Sequence, residues 1–178
     1  KRPSVQVGDP LEEKKLIEAC LALLDAGLAV GVQDLGAAGL SCAASETAAK
    51  AGAGMDVDVA RVPRREPGMS AVEVMTSESQ ERMLVIVQPD DLAEVLGLCE
   101  RWEIDASVVG RVTDSRRFRV FDGVFDDPGD GDATGDAEPL ADVPVESLGD
   151  GPLYDRPRTR PAAQDALHAA DPAPELAA

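Results

Sequence analysis

The run Ala29-Val30-Gly31-Val32-Gln33-Asp34-Leu35-Gly36-Ala37-Ala38-Gly39-Leu40 decides how this chain folds. Residues 29–33 are apolar, short and flanked by glycine, the pattern of a buried strand, and Asp34 stands at the strand's exit. Gly36 and Gly39 then turn the chain into a helix of small residues over 40–51. A strand that leads through a tight turn into a helix is the repeating step of α/β architecture.

Working outward, Asp9-Pro10 followed by Glu12 supplies an N-cap, a first-turn proline and a capping-box partner, so a helix starts near residue 10. Leu16, Ile17, Cys20, Leu21, Leu24 and Leu28 recur at helical spacing, with Gly27 as terminator. Downstream, residues 55–59 alternate as a strand and 71–75 form a short helix. Residues 83–87 are apolar enough for a central strand, and 92–102 form a helix opened by Asp90 or Asp91. Strands over 106–112 and 117–124, joined by Thr113-Asp114-Ser115, read as a hairpin. The order αβαβαβαββ, with a hairpin at its end, predicts an α/β fold in which helices pack on a mixed sheet. Residues 126–138 are mostly Asp, Gly, Pro and Ala with no apolar anchor, a solvated acidic insertion. Residues 143–148 return as an edge strand, and the Pro- and Ala-rich stretch beyond 156 reads as a linker.

Composition narrows the function classes. The chain has 178 residues, 44% of them hydrophobic, enough for one domain with its own core. Lys+Arg of 17 against Asp+Glu of 34 gives a formal charge of -17, which argues against binding a nucleic-acid backbone. The Asp-rich excess reads as adaptation to concentrated intracellular salt, where screening weakens self-repulsion. Cys20, Cys42 and Cys99 are widely spaced, and the single histidine, His168, is remote from them, so neither a disulfide framework nor a zinc site is indicated. No charged-then-apolar leader is present and no apolar run reaches the roughly 18 residues of a membrane span, so the expected location is the cytoplasm. The opening Lys-Arg-Pro-Ser, without Met and leading straight into patterned sequence, suggests a piece of a longer polypeptide.

Asp34, at a strand end before a glycine-rich turn, can present its carboxylate to Mg²⁺, with backbone N–H groups nearby for phosphate oxygens. The same pattern fits a turn in which Asp34 caps the following helix. Ser77-Glu78-Ser79-Gln80-Glu81 combines hydroxyl, carboxylate and amide groups that suit a neutral polar ligand, or a connecting loop that caps its neighbours. Val5-Gln6-Val7-Gly8-Asp9-Pro10 offers an amide before a helix start. Asp130-Gly131-Asp132-Ala133-Thr134-Gly135 resembles half a calcium loop, but position twelve is Ala141, not glutamate, which leaves an acidic insertion as the better reading.

Four motifs occur in order: residues 2–10, Gln33-Asp34-Leu35-Gly36-Ala37-Ala38-Gly39-Leu40, Glu78-Ser79-Gln80-Glu81-Arg82-Met83, and Gly151-Pro152-Leu153-Tyr154-Asp155-Arg156-Pro157. Together they resemble the large synthetase subunit of the phosphoribosylformylglycinamidine synthases, over residues 1–157. The resemblance implies a domain like the C-terminal domain of aminoimidazole ribonucleotide synthase, with 158–178 as the lead into a next domain.

It further implies an ATP-dependent ligase that activates the amide oxygen of formylglycinamide ribonucleotide and lets ammonia displace phosphate to form an amidine. Gln6 then corresponds to a substrate-contacting glutamine, Asp34 to a magnesium ligand, and Glu78, Ser79 and Gln80 to a substrate-binding triplet. ATP is a substrate held mostly by an upstream domain, which also carries the family's catalytic histidine, so no catalytic residue is assigned here and the fragment alone should be inactive. The implied partners are a glutaminase subunit that supplies ammonia and a small bridging subunit. The rivals are aminoimidazole ribonucleotide synthase, selenophosphate synthetase or the hydrogenase-maturation protein, which share the architecture, and a noncatalytic acidic module that binds calcium or a protein through residues 126–138.

Overall fold

The computed structural model describes residues 8–64, 66–125, 137–149, 154–156 and 159–170. The first helix, α1 (Pro10–Asp25), begins where the sequence places it: the Asp9 carboxylate accepts hydrogen bonds from the Leu11 and Glu12 amides, and Pro10 fills the first turn. The capping-box expectation for Glu12 is overturned. Glu12 accepts a hydrogen bond from Lys15 at 3.1 Å, and the Asp9 amide donates instead to Glu81 Oε1, 72 residues away, at 2.8 Å.

Strand β1 (Gly31–Asp34) leads into α2 (Gly39–Ala51), followed by β2 (Gly54–Asp58), α3 (Ala71–Thr76), β3 (Met83–Ile86) and α4 (Leu92–Arg101). A 3-10 turn over Pro89–Asp91 precedes α4, and no side chain caps that helix. Then come β4 (Gly110–Thr113), β5 (Arg117–Phe121), β6 (Ala141–Pro144), the single turn α5 (Glu146–Gly149) and α6 (Ala162–Ala169). Thus β6 takes the edge position expected for 143–148, but its second half coils into α5. The stretch read as a linker contains α6.

Two sheets form. A mixed sheet has the order β4-β2-β5-β6, in which β2 runs antiparallel to β4 and parallel to β5, and β6 is antiparallel to β5. Helices packed on a mixed sheet are therefore the architecture, as expected. The hairpin is not: β4 and β5 do not pair with each other, because β2 lies between them. Their connection instead passes around the start of β2, where Gly54 pairs with Thr113 and the next residue, Met55, with Phe118 of β5. A Cβ on Gly54 would lie 2.3 Å from Ser115 Oγ, 2.5 Å from Thr113 Oγ1 and 2.9 Å from the Arg117 carbonyl oxygen, so the crossing exists only because residue 54 has no side chain.

The second sheet is the antiparallel ladder β1–β3. The expected central position of β3 is corrected: among the described residues it pairs only with β1. Its apolar run arises because both of its faces are covered. Leu84 and Ile86 pack on the main core of Leu40, Ala44, Val57, Val74, Phe118 and Val120, while Val85 and Val87 pack on a second core between α1 and α4 that contains Leu23, Val95 and Leu98. Full burial of an aliphatic side chain stabilises a fold by about 2 kcal/mol before conformational entropy is counted, and these half-buried ones contribute less.

Strand β2 alternates Met55 and Val57 with Asp56 and Asp58, yet all four are buried. Asp58 accepts from the Ala60, Gly123, Val124 and Phe125 amides at 2.8–3.0 Å. Burial pushes its carboxyl upward, and the four N–H donors overcome this and hold it below the usual carboxylate range. No described helix is long and apolar enough to cross a membrane.

Candidate functional site

The antiparallel pairing of β1 with β3 sets Asp34 opposite Met83. The exit of β1 and the entrance of β3 therefore lie at the same end of the ladder, and the loops 34–39 and 77–82 are brought face to face. Nothing in either loop's local sequence encodes this meeting. The contact is close: a Cβ on Gly39 would sit 2.1 Å from the Ser77 carbonyl oxygen, and Gly39 has φ +57°. Glycine is required there on both counts.

Within the first loop, exposed Asp34 accepts from the Gly36 amide at 2.9 Å and from Gln33 Nε2 at 3.4 Å. It does not cap α2, whose N-cap is Ala38 in the left-handed region with no side-chain cap bond. The group that reaches the start of α2 is Glu78, whose Oε1 accepts from the Ala38 amide at 2.8 Å. Two exposed carboxylates thus flank one glycine-rich turn.

A carboxylate that spends only part of its lone-pair capacity on the protein suits a hard cation, and Mg²⁺ is commonly held by one or two carboxylates with substrate phosphates and water completing the shell. The donor set fits that ion. Among the described residues no group of three or more His, Cys, Asp and Glu could form an all-protein cage. The nearby Cys42 thiol is pushed up by its 3.0 Å hydrogen bond to Glu46, by burial and by the charges of Glu46 and Asp34, which keeps it a thiol and not a nucleophile.

The second loop is held from behind. Arg82 donates through Nε to the Ser79 carbonyl at 3.2 Å and through Nη2 to the Ser77 carbonyl, and the Ser77 and Ser79 hydroxyls lie 3.0 Å apart. Gln80 is exposed at the tip and Ser79 half-buried. Glu81 adopts φ +54° and caps α1 through Asp9. The loop therefore caps two neighbours while presenting Gln80 and part of Ser79 outward. Gln6 lies outside the described residues, as do most of the acidic insertion with its half calcium loop and most of residues 151–157.

Residues 1–123 match the family described as AIR synthase related protein, C-terminal domain. The chain belongs to this family. As such a C-terminal domain, it is 52% identical over 178 residues to phosphoribosylformylglycinamidine synthase subunit PurL of Parafrankia sp., and 51% identical over 180 residues to that of Thermobifida fusca. Each alignment covers 97% of this chain and 22% of the relative. The chain thus spans about a fifth of the length of the curated relatives it matches.

Among solved structures, Thermotoga maritima PurL complexed with FGAR superposes with a TM-score of 0.75 at 37% identity, over 89% of this chain and 24% of that one. The structure of PurLQS from the same organism superposes at 0.74 and 36%, over 89% and 25%. The HypE–HypF complex, at 0.56 and 20% identity over 68% and 41%, shares the fold alone. The resemblance to phosphoribosylformylglycinamidine synthase is therefore that of a fragment to a whole.

Sequence reading took Glu81 together with residues 77–80 as a block that offers groups to a ligand or caps its neighbours, and gave Arg82 no role beyond its place in a motif; both shape the loop from behind. A glutamate in the left-handed region leaves no compositional trace, since no glycine or asparagine marks the position.

Proposed function

We propose that this AIR synthase related domain supplies the substrate and magnesium loops of a phosphoribosylformylglycinamidine synthase. The whole enzyme converts formylglycinamide ribonucleotide, ATP and ammonia to formylglycinamidine ribonucleotide, ADP and phosphate. The domain occupies residues 1–157, and 158–178 lead to the next one. The observation that carries this reading is the meeting of the Asp34 loop with the Glu78-Ser79-Gln80 loop at one end of the β1–β3 ladder.

In this reading Asp34 holds Mg²⁺, while Glu78, Ser79, Gln80 and, from the segment before α1, Gln6 contact formylglycinamide ribonucleotide. Bound there, Mg²⁺ neutralises charge that builds up as the amide oxygen is phosphorylated. The protein's part is to fix the two carboxylates and the amide donors in place before reaction. A neutral amide substrate suits a loop whose outward groups include an amide and a hydroxyl, each able to donate and accept.

The catalytic base and most ATP contacts belong to the remainder of the polypeptide. A glutaminase subunit and a small bridging subunit complete the assembly, a reading supported by the multi-subunit Thermotoga maritima structure. The setting is the cytoplasm of a salt-accumulating cell, supported by the formal charge of -17.

The test uses the full polypeptide in concentrated potassium chloride, following ADP release with formylglycinamide ribonucleotide and ammonium. Asp34→Asn should lower substrate-dependent turnover by roughly 100-fold or more, as removal of a group that stabilises transition-state charge does. Turnover within twofold of wild type would remove Asp34 from the magnesium site, and no substrate-dependent ADP release by folded wild type would refute the activity itself.

A further inference from the structure

Arg82 meets both loops of the candidate site. Its guanidinium donates through Nε to the Ser79 carbonyl at 3.2 Å and through Nη2 to the Ser77 carbonyl. Ser77 is the first residue after α3 and Arg82 the last before β3, so this side chain closes the 77–82 loop end to end. The loop's exposure alternates accordingly: Ser77 and Ser79 are half-buried, with hydroxyls 3.0 Å apart, while Glu78 and Gln80 are exposed. Toward the other loop, the Arg82 carbonyl accepts from the Leu35 amide, next to Asp34, at 3.4 Å. The Ser77 carbonyl held by the guanidinium is also the oxygen that a Cβ on Gly39 would approach to 2.1 Å.

Between its ends the loop reads Ser-Glu-Ser-Gln-Glu and has no apolar side chain to anchor it. Its shape therefore depends on hydrogen bonds: those of Glu78 and Glu81 to neighbouring segments, and the two from Arg82 within the loop. A rigid guanidinium fork onto two carbonyls offsets the entropy of ordering the backbone before any ligand arrives. Arg82 is half-buried and lines a cavity behind the loop with Val62, Met69 and Val74. At about 10 Å³ that cavity has room for no more than a water molecule, so no substrate group enters from that side.

We propose that Arg82 is a positioning residue for formylglycinamide ribonucleotide: by closing the 77–82 loop on the Ser77 and Ser79 carbonyls it holds Glu78 and Gln80 in the arrangement that meets the substrate. This rests on the reading of residues 78–80 as substrate contacts. Without the fork the loop samples other shapes, and apparent affinity falls with the fraction of time the binding shape is populated. The loss falls on formylglycinamide ribonucleotide and leaves ATP binding in place.

The experiment measures KM for formylglycinamide ribonucleotide, KM for ATP and kcat with ammonium in the full polypeptide, for Arg82→Ala, Arg82→Lys and Gln80→Ala, with and without added guanidinium ion. A loop that keeps its binding shape about a tenth of the time raises KM for formylglycinamide ribonucleotide about tenfold, the result expected of Arg82→Ala with the ATP value unmoved. Added guanidinium ion replaces the lost group and should lower that raised KM in Arg82→Ala, but not in Gln80→Ala. Arg82→Lys keeps the charge without the fork and should recover only part of the loss. If Arg82→Ala does not fold, Arg82→Lys carries the test, with the same selective rise in smaller measure.

An unchanged KM in the Arg82 variants, with a raised one in Gln80→Ala, overturns the positioning role and leaves the substrate loop intact. Unchanged values throughout overturn the substrate reading with it. Parallel changes in kcat and both KM values that guanidinium ion does not reverse assign Arg82 to general stability and also overturn the proposal.

Discussion

Arg119 lies directly opposite Asp56 in the parallel pairing of β5 with β2, and its guanidinium forks onto both carboxylate oxygens at 2.7 Å. Arg111, opposite Asp56 on the other neighbouring strand, brings its Nε to 3.6 Å. One wholly buried carboxylate is thus held between two arginines, which lie over the Phe121 and Phe125 rings at 5.6 and 5.2 Å. The bidentate geometry offsets desolvation of the carboxylate, and the partly exposed arginines keep contact with water.

Removing one member should therefore cost far more than replacing the pair. Arg119→Met is expected to destabilise the chain by about 3–5 kcal/mol, because it leaves a buried carboxylate short of its principal partner. Asp56→Leu combined with Arg119→Met should recover a good part of that loss. Urea unfolding of the two single variants and the double variant measures the coupling, and strictly additive losses would show that the fork contributes no pairwise stability.

Asp58 makes stability depend on pH in a defined direction. Its folded carboxyl lies below the usual value despite burial, so the unfolded chain binds the proton more tightly. The stabilisation is complete above the unfolded carboxylate range near 4 and is lost as pH falls through the lower folded value. Asp58→Asn should flatten that acid limb and, by weakening acceptance from four backbone amides, destabilise the chain by about 2 kcal/mol at neutral pH. Urea midpoints collected from pH 7 to pH 3 in both proteins check the sign.

Gly39 and Gly52 separate backbone strain from loop contact. Both have positive φ, but a Cβ at 52 meets nothing within 4 Å, whereas one at 39 would lie 2.1 Å from the Ser77 carbonyl oxygen. Gly52→Ala should cost about 1 kcal/mol and leave substrate binding alone. Gly39→Ala should cost more and also push the 34–39 loop from the 77–82 loop, which under the proposed function raises KM for formylglycinamide ribonucleotide in the full polypeptide. Equal effects of the two substitutions on KM would show that the loops need not touch.

Much of the site was legible in its parts. Asp9 with Pro10 announced α1, the two glycines announced the turn into α2, and the apolar run before Asp34 announced a strand, because caps, turns and strands are set by a few neighbouring residues. Burial is not so set: β1 is only half-buried and Val30 is exposed. The polar block after α3 was legible as a loop that caps its neighbours or offers groups to a ligand, and the capping is what the structure displays, through Glu78 to Ala38 and Glu81 to Asp9. Its internal supports were not: Arg82 holds carbonyls of its own loop through a backbone bend that no residue type signals, and the reciprocal cap of α1 passed over nearby Glu12 for distant Glu81.

The amino-acid sequence by itself determined the order of helices and strands from α1 to β6, the candidate residues to be tested and, through its motifs, the family, since each depends on short stretches of chain. The tertiary structure decided which strands are neighbours. The connection around Gly54 puts β2 between β4 and β5, where sequence reading expected a hairpin, and the antiparallel β1–β3 ladder joins loops about forty residues apart into one candidate site. Strand partnership is set by which faces can be buried together across the whole domain, and alternation within one strand records only that a face is buried, not against what.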